Sequence, residues 1–287
     1  MSLKNIHENR SVYVQKYTQR PKPLLEAMVE AGVLDKVGMI FGAHLDSGFP
    51  TGTLAVTDGG VNAAADTFSI RIIGRGGHGG RPHQTIDAIV VGSHLVTTLQ
   101  SVVARQIAPA EAAVLSIGRF EAGSASNAIA QTALLEGTVR SFNAPVRRQL
   151  HESLRRIVDG VTASHGATAE LHIQSGPPAV HNTPVATTLA RRAVTQMSGA
   201  VLTSLPPASN MGAEDFSFYL QHVPGCYIRI GGQSSASTSH PAHSSLFDFD
   251  EEAMQVGARW FTQTALLAGR HLHNQHQRKE LTGLATA

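Results

Sequence analysis

A single cysteine, Cys226, stands in 287 residues, which excludes an internal disulfide and any zinc site built from cysteines. Net charge is nearly as scarce. The 23 lysines and arginines against 21 aspartates and glutamates leave a formal +2, too little to argue for a nucleic acid or a membrane surface as partner. No signal peptide or long apolar run opens the chain, so a cytoplasmic location is the expectation. What remains, 42% hydrophobic and 15% charged, is an ordinary globular composition, long enough for one large or two moderate domains. Fifteen histidines are the one excess, and they carry meaning only where they cluster.

The densest chemistry lies in Gly74-Arg75-Gly76-Gly77-His78-Gly79-Gly80-Arg81-Pro82-His83. Upstream, Phe68, Ile70 and Ile72 alternate as in a half-buried strand. Downstream, Ile89, Val96, Leu99 and Val103 recur at helical spacing, which predicts an amphipathic helix with these residues on its apolar face. The stretch therefore reads as a strand-to-helix turn. Backbone N–H groups there, with a helix N-terminus behind them, favour an anionic group. A plain glycine-rich turn is the alternative.

Taken in order, the chain predicts an α/β fold with an insertion. Val12–Val14 reads as a strand and Leu24–Gly32 as a helix closed by Gly32. The apolar run Val37–Gly42 reads as a strand buried on both faces of a parallel sheet. It leads straight into His44 and Asp46, so His44 is expected at the strand's C-terminal end, where α/β sheets place ligands. Residues 66–178 alternate as βαββαβ, a ferredoxin-like unit suited to dimerisation. A helix from Pro184, a buried strand over Cys226–Ile230 and a helix from Asp250 to about Ala268 complete a larger α/β domain. Its parts are 1–65 and 179–287. Gly269 is expected to stop the last helix, with a disordered tail after it.

Several residues invite plain readings. His94, His151, His165, His172 and His222 lie on helices or strands without evident partners. Arg147, Arg148, Arg155 and Arg156 form a solvated helix face. Glu214 and Asp215 favour a helix N-terminus through its dipole, and Cys226 reads as a small buried hydrophobe.

Phe41-Gly42-Ala43-His44, Gly76-Gly77-His78-Gly79 with Pro82-His83, Asn127, Glu136-Gly137-Thr138-Val139-Arg140, Gly212-Ala213-Glu214-Asp215-Phe216, His243-Ser244 and Phe247-Asp248 follow one another in this order. The series resembles the M20 peptidases, in particular the amidohydrolase branch that cleaves N-acyl amino acids. The resemblance runs over nearly all of residues 12–269. It implies that His44 and His243 are ligands in a two-metal site holding Zn, Mn, Co or Ni. It further implies that His78 polarises the scissile carbonyl in a partner subunit's site, and that Asn127 and Arg140 bind the substrate carboxylate. The 66–178 unit would be the lid and dimerisation domain of a homodimer.

Against the family pattern, the N-terminal segment with further metal ligands has no counterpart. No carboxylate occurs from Gln15 to Pro23, where a Glu-Glu pair is expected, and Gln19 and Arg20 stand nearest its place. Three outcomes are distinguished. One is a homologue without amidohydrolase activity. Another is an active metal enzyme completed by a partner chain or by Asp46, His83, Glu214 or His240. The last is a carboxylate-binding module using His78, Asn127 and Arg140.

Overall fold

The computed structural model describes residues 24–206 and 210–284. The strand read at Val12–Val14 and the Gln19–Arg20 pair lie outside the described residues. Helix α1 (Leu24–Glu30) is followed by Gly32 at a left-handed φ of 85°, a conformation glycine adopts without strain. The chain continues through β1 (Ile40–Pro50), β2 (Thr53–Ala55), β3 (Gly59–Asn62), β4 (Ala64–Ile73), β5 (Gly77–His78) and α2 (Ala88–Gln106). Next come β6 (Ala113–Ala122), β7 (Ala128–Ile129), β8 (Thr132–Ser141), α3 (Ala144–Ser164), β9 (Thr168–Gln174) and β10 (Val180–Asn182). Helix α4 (Pro184–Thr195), β11 (Val201–Thr203), the short α5 (Ser217–Leu220), β12 (Gly225–Gln233) and α6 (Glu252–Leu284) follow.

Two four-stranded sheets organise these elements. One has the order β6-β8-β4-β9 and is antiparallel throughout, with α2 and α3 packed against it and each other. This is the expected ferredoxin-like arrangement. Strand β4 shows why it forms. Phe68, Ile70 and Ile72 point into the core while Thr67 and Arg71 point to solvent, the period-2 pattern of a half-covered sheet. Leu95, Leu99, Leu135, Leu150 and Leu154 fill the space between sheet and helices, all at 0% exposure. Each such leucine contributes about 1.5–3 kcal/mol of burial.

The apolar face of α2 differs from the one read in the sequence. Ala88, Val91, Leu95, Leu99 and Val102 are buried, Val96 and Val103 only partly so, and Ile89 is exposed. Apolar residues occupy most of this helix's circumference, so spacing alone does not select the stripe that packs. For the same reason α2 is long and apolar enough to cross a membrane, yet its buried stripe makes it the core helix of this sheet.

The beginning and end of this sheet unit are tied by one carboxylate. Asp66, 1% exposed on β4, accepts from Arg147 Nε at 2.8 Å, from the Gly176 N–H at 2.8 Å and from His151 Nε2 at 2.7 Å. Arg147 Nη2 grips its other oxygen. Burial alone would push this carboxyl up, but Arg147, the Gly176 N–H and His151 together hold it below the usual carboxylate range. Two sequence readings are corrected here. Arg147 is not on a solvated face, and His151 has a partner. His94 and His165 are not isolated either, since their ring nitrogens meet at 2.8 Å.

The other sheet has the order β1-β12-β2-β11. Strand β12 is buried from Gly225 to Gly232, as its apolar sequence predicts. One face, with Phe41, Ala43, Leu45, Leu54, Val56, Cys226, Ile228 and Ile230, packs on α4 and α6 around Trp260. Cys226 is the small hydrophobe expected, its thiol pushed up to about 12 by burial. Strand β1 departs from expectation. It begins at Ile40, is only half-buried and lies at the sheet edge among the described residues. Parallel pairing with β12 persists through His44↔Arg229 to Asp46↔Gly231, so His44 sits within the strand rather than beyond its end.

Helix α6 does not stop at Gly269, and the segment from Arg270 is helical to Leu284. An interior glycine costs about 1 kcal/mol relative to alanine. Leu272 offsets it by packing on Gly38, where an added Cβ would come within 2.8 Å of its Cδ1. Gln275 and Gln277 add i,i+4 side-chain bonds to His271 and His273 at 2.9 and 3.0 Å.

Candidate functional site

The second face of the larger sheet carries the polar chemistry. Side chains alternate along a strand, so Gly42 and His44 on β1 share this face with Tyr227 and Arg229 on β12. The exposed His44 ring donates from Nδ1 to the Leu45 carbonyl at 2.5 Å. A neutral imidazole held this way keeps the Nε2 lone pair free, the state a metal ligand needs.

Beside it Arg229 is 6% exposed. Its Nη2 donates to Asn62 Oδ1 at 2.8 Å, its guanidinium carbon lies 5.6 Å from the Tyr227 ring centre, and its Nε has no partner. The Tyr227 hydroxyl donates to Glu214 Oε2 at 2.5 Å, and burial, then Glu214, push its ionisation well above the usual phenol range. Asp215 is raised as well, by burial first and then by its hydrogen bond and charge repulsion with Glu214. These carboxylates therefore serve a local polar cluster. The helix that follows them, α5, has only four residues, so the dipole role read from the sequence has little helix to act on. Tyr227 and Arg229 escaped the sequence reading, although polar residues at every second position of Cys-Tyr-Ile-Arg-Ile were the available signal.

The same Asn62 donates to the Gly212 carbonyl at 3.0 Å, and Ala63 N–H bonds the carbonyls of Asn210 and Gly212. The neighbouring carbonyl, Met211, accepts from Arg140 Nη1 at 2.7 Å. Arg140 stands on β8 of the other sheet, so its guanidinium bridges the two sheets at this loop.

His78 and Asn127 are brought together by an element not foreseen, the two-stranded ribbon β5-β7. The Gly79 N–H donates to the Asn127 carbonyl at 2.8 Å, and a Cβ on Gly79 would lie 3.0 Å from that oxygen. A side chain here would press on that backbone. His78 Nδ1 accepts the Gly80 N–H at 3.0 Å, which leaves the proton of a neutral ring on Nε2. His78 is thus set as a donor and His44 as an acceptor. The anion pocket expected at the N-terminus of α2 is filled by the chain itself, since Asp87 Oδ1 accepts the Ile89 N–H at 2.8 Å. Seven residues, a 3-10 turn over Pro82–Gln84 among them, separate Gly80 from that helix.

His243 follows β12 in an exposed loop and holds a left-handed φ of 69°, uncommon for a residue with a side chain. Among the described residues no group of three or more His, Cys, Asp or Glu could hold a metal ion. Of the residues considered as substitutes, Asp46 and Glu214 already carry hydrogen bonds. Asp46 caps the Gly48 N–H at 2.9 Å, Glu214 is engaged by Tyr227, and His83 belongs to the turn after the glycine run.

An N-acetylcysteine deacetylase of Bacillus subtilis is 36% identical over 240 residues, covering 84% of this chain and 61% of that protein. An N-acyl-L-amino acid amidohydrolase of Geobacillus stearothermophilus is 46% identical over 151 residues, 53% of this chain and 41% of the relative. The crystal structure of B. subtilis YxeP, described as a dinuclear metal binding peptidase from the M20 family, matches with a TM-score of 0.70 at 31% identity. That match covers 84% of this chain and 60% of YxeP, so the chain spans under two thirds of the length of these relatives. The family model for peptidase family M20/M25/M40 matches residues 23–267, and the chain belongs to that family.

Proposed function

We propose that this chain is an M20 amidohydrolase homologue that recognises N-acyl amino acids and does not hydrolyse them by itself. The observation that carries the proposal is that the described residues assemble no group of three metal-ligating side chains, at His44, at His243 or elsewhere. Bimetallic amide hydrolysis needs both ions held firmly and a carboxylate base in reach of the attacking water. The recognition half is supported by residues in suitable states. Arg140 offers a planar fork for the α-carboxylate, and the Asn127 amide would supply a further donor. His78 presents Nε2–H, the donor a developing oxyanion requires in a partner subunit's site. His44 and His243 are the ligands this chain would contribute to divalent metal (Zn, Mn, Co or Ni).

In this reading residues 66–178 are the lid and dimerisation unit of a cytoplasmic homodimer, and 1–65 with 179–287 form the catalytic-type domain. The exposed edge strand β6 suits pairing with a second copy. The test is amino-acid release from N-acetyl and N-benzoyl amino acids by the purified protein, with and without added Zn²⁺, Mn²⁺, Co²⁺ or Ni²⁺. No release is expected under any condition. The same ligands should raise the thermal midpoint, and Arg140→Ala should abolish that rise. Metal-dependent hydrolysis that is lost in His44→Ala contradicts the proposal.

A further inference from the structure

Arg229 is the most conspicuous unfinished interaction among the described residues. A guanidinium at 6% exposure loses most of its hydration, a cost of several kcal/mol unless an opposite charge replaces the water. The two groups it is seen to contact are neutral: an amide oxygen of Asn62 and the face of Tyr227. Among the described residues it forms no ion pair, and its Nε has no acceptor. Glu214, the carboxylate that shares Tyr227 with it, is occupied by the phenol hydroxyl and by the Phe216 N–H at 3.3 Å.

Its position gives the unpartnered guanidinium a use. Arg229 is the direct cross-strand neighbour of the exposed His44. Through Asn62 it reaches the Gly212 carbonyl, next to the Met211 carbonyl that Arg140 holds. Two guanidinium groups thus flank one loop, one from each sheet, and neither has a carboxylate among the described residues. One α-carboxylate accounts for Arg140. Arg229 calls for another anion.

We propose that Arg229 anchors a second carboxylate of the ligand, which makes the ligand class N-acyl amino acids carrying two carboxylates. The inference rests on the reading that N-acyl amino acids bind here with their α-carboxylate at Arg140. The second carboxylate can lie in the amino-acid side chain or in the acyl group, since both present the same planar acceptor to the guanidinium fork.

Isothermal titration with two matched pairs separates these sources: N-acetyl-L-glutamate against N-acetyl-L-glutamine, and N-succinyl-L-leucine against N-acetyl-L-leucine. In one pair the dicarboxylate should bind about tenfold or more tightly, the equivalent of a hydrogen bond to a charged group. Which pair shows the preference names the source. Arg229→Gln and Arg229→Met should erase the preference while leaving the affinity for the neutral partner unchanged. Equal binding within both pairs by the native protein overturns the inference and leaves the N-acyl amino acid reading standing. A preference that survives both substitutions, or loss of the neutral ligand as well, also overturns it. If a protein with an intact thermal transition binds none of the four ligands, the underlying reading falls and takes the inference with it.

Discussion

Asp66 and Arg229 are both charged and nearly out of solvent, and both stand on an inner strand of a four-stranded sheet. Four donors from Arg147, His151 and Gly176 converge on Asp66. Arg229 has one neutral acceptor and one ring face, and its Nε is left over. Both sheets bury charge, but only one completes the accounting. A satisfied buried ion holds parts of the chain together, here the first strand of the unit, α3 and the segment leaving β9. An unsatisfied one marks a place where something else belongs.

The sharpest way to break this comparison is to remove Asp66. Asp66→Ala leaves Arg147 buried against the sheet without its partner and should cost about 3–5 kcal/mol, read from urea unfolding. The pH dependence carries the same signature. With its folded pKa held below the ordinary aspartate value of 3.8, Asp66 contributes stability that is fully present above that value. That stability drains away as pH falls through the lower folded value. Acid unfolding of the native protein should therefore steepen below pH 3.8, and Asp66→Asn should flatten it.

Arg229→Met is the matching experiment on the open side, and its unliganded protein should behave differently. Removing a buried charge without a counter-ion is worth between no change and a gain of about 1–2 kcal/mol, since the lost Asn62 bond is offset by desolvation no longer incurred. A loss of 3 kcal/mol or more would place Arg229 in the same class as Asp66.

The smallest effect belongs to Asp215. Its folded pKa is raised, so its contribution is fully present below the unfolded value and is lost as pH rises through the folded one. Asp215→Asn should therefore raise stability at pH 7 by under about 1 kcal/mol and leave stability at low pH unchanged. Asp66 and Asp215 bracket the carboxylate range from opposite sides, and differential scanning calorimetry across pH 3–7 should show their opposite slopes.

What could be read from the chain alone divides along the same line as these residues. Alternation in Phe68-Ser69-Ile70-Arg71-Ile72 and the helical spacing from Val146 to Val161 are local, and the ferredoxin-like sheet followed from them. So did the buried strand around Cys226. The partners of Asp66 lie 81, 85 and 110 residues away, so nothing near Arg147 or His151 in sequence announces their roles. The register that sets His44 beside Arg229 spans a still greater distance and is fixed only when β1 pairs with β12. The Gly79 contact that seats His78 beside Asn127 was hidden for another reason. A two-residue strand such as β7 has no periodicity to read. Helix α6 outran its expected stop because Gly38, far away in the chain, makes room for Leu272.

Metal stoichiometry decides the proposal that this chain by itself holds no metal pair. Protein purified, loaded with Zn²⁺ or Mn²⁺ and dialysed exhaustively should retain well under one ion per chain by inductively coupled plasma mass spectrometry. Retention of two ions per chain, reduced by both His44→Ala and His243→Ala, would contradict it.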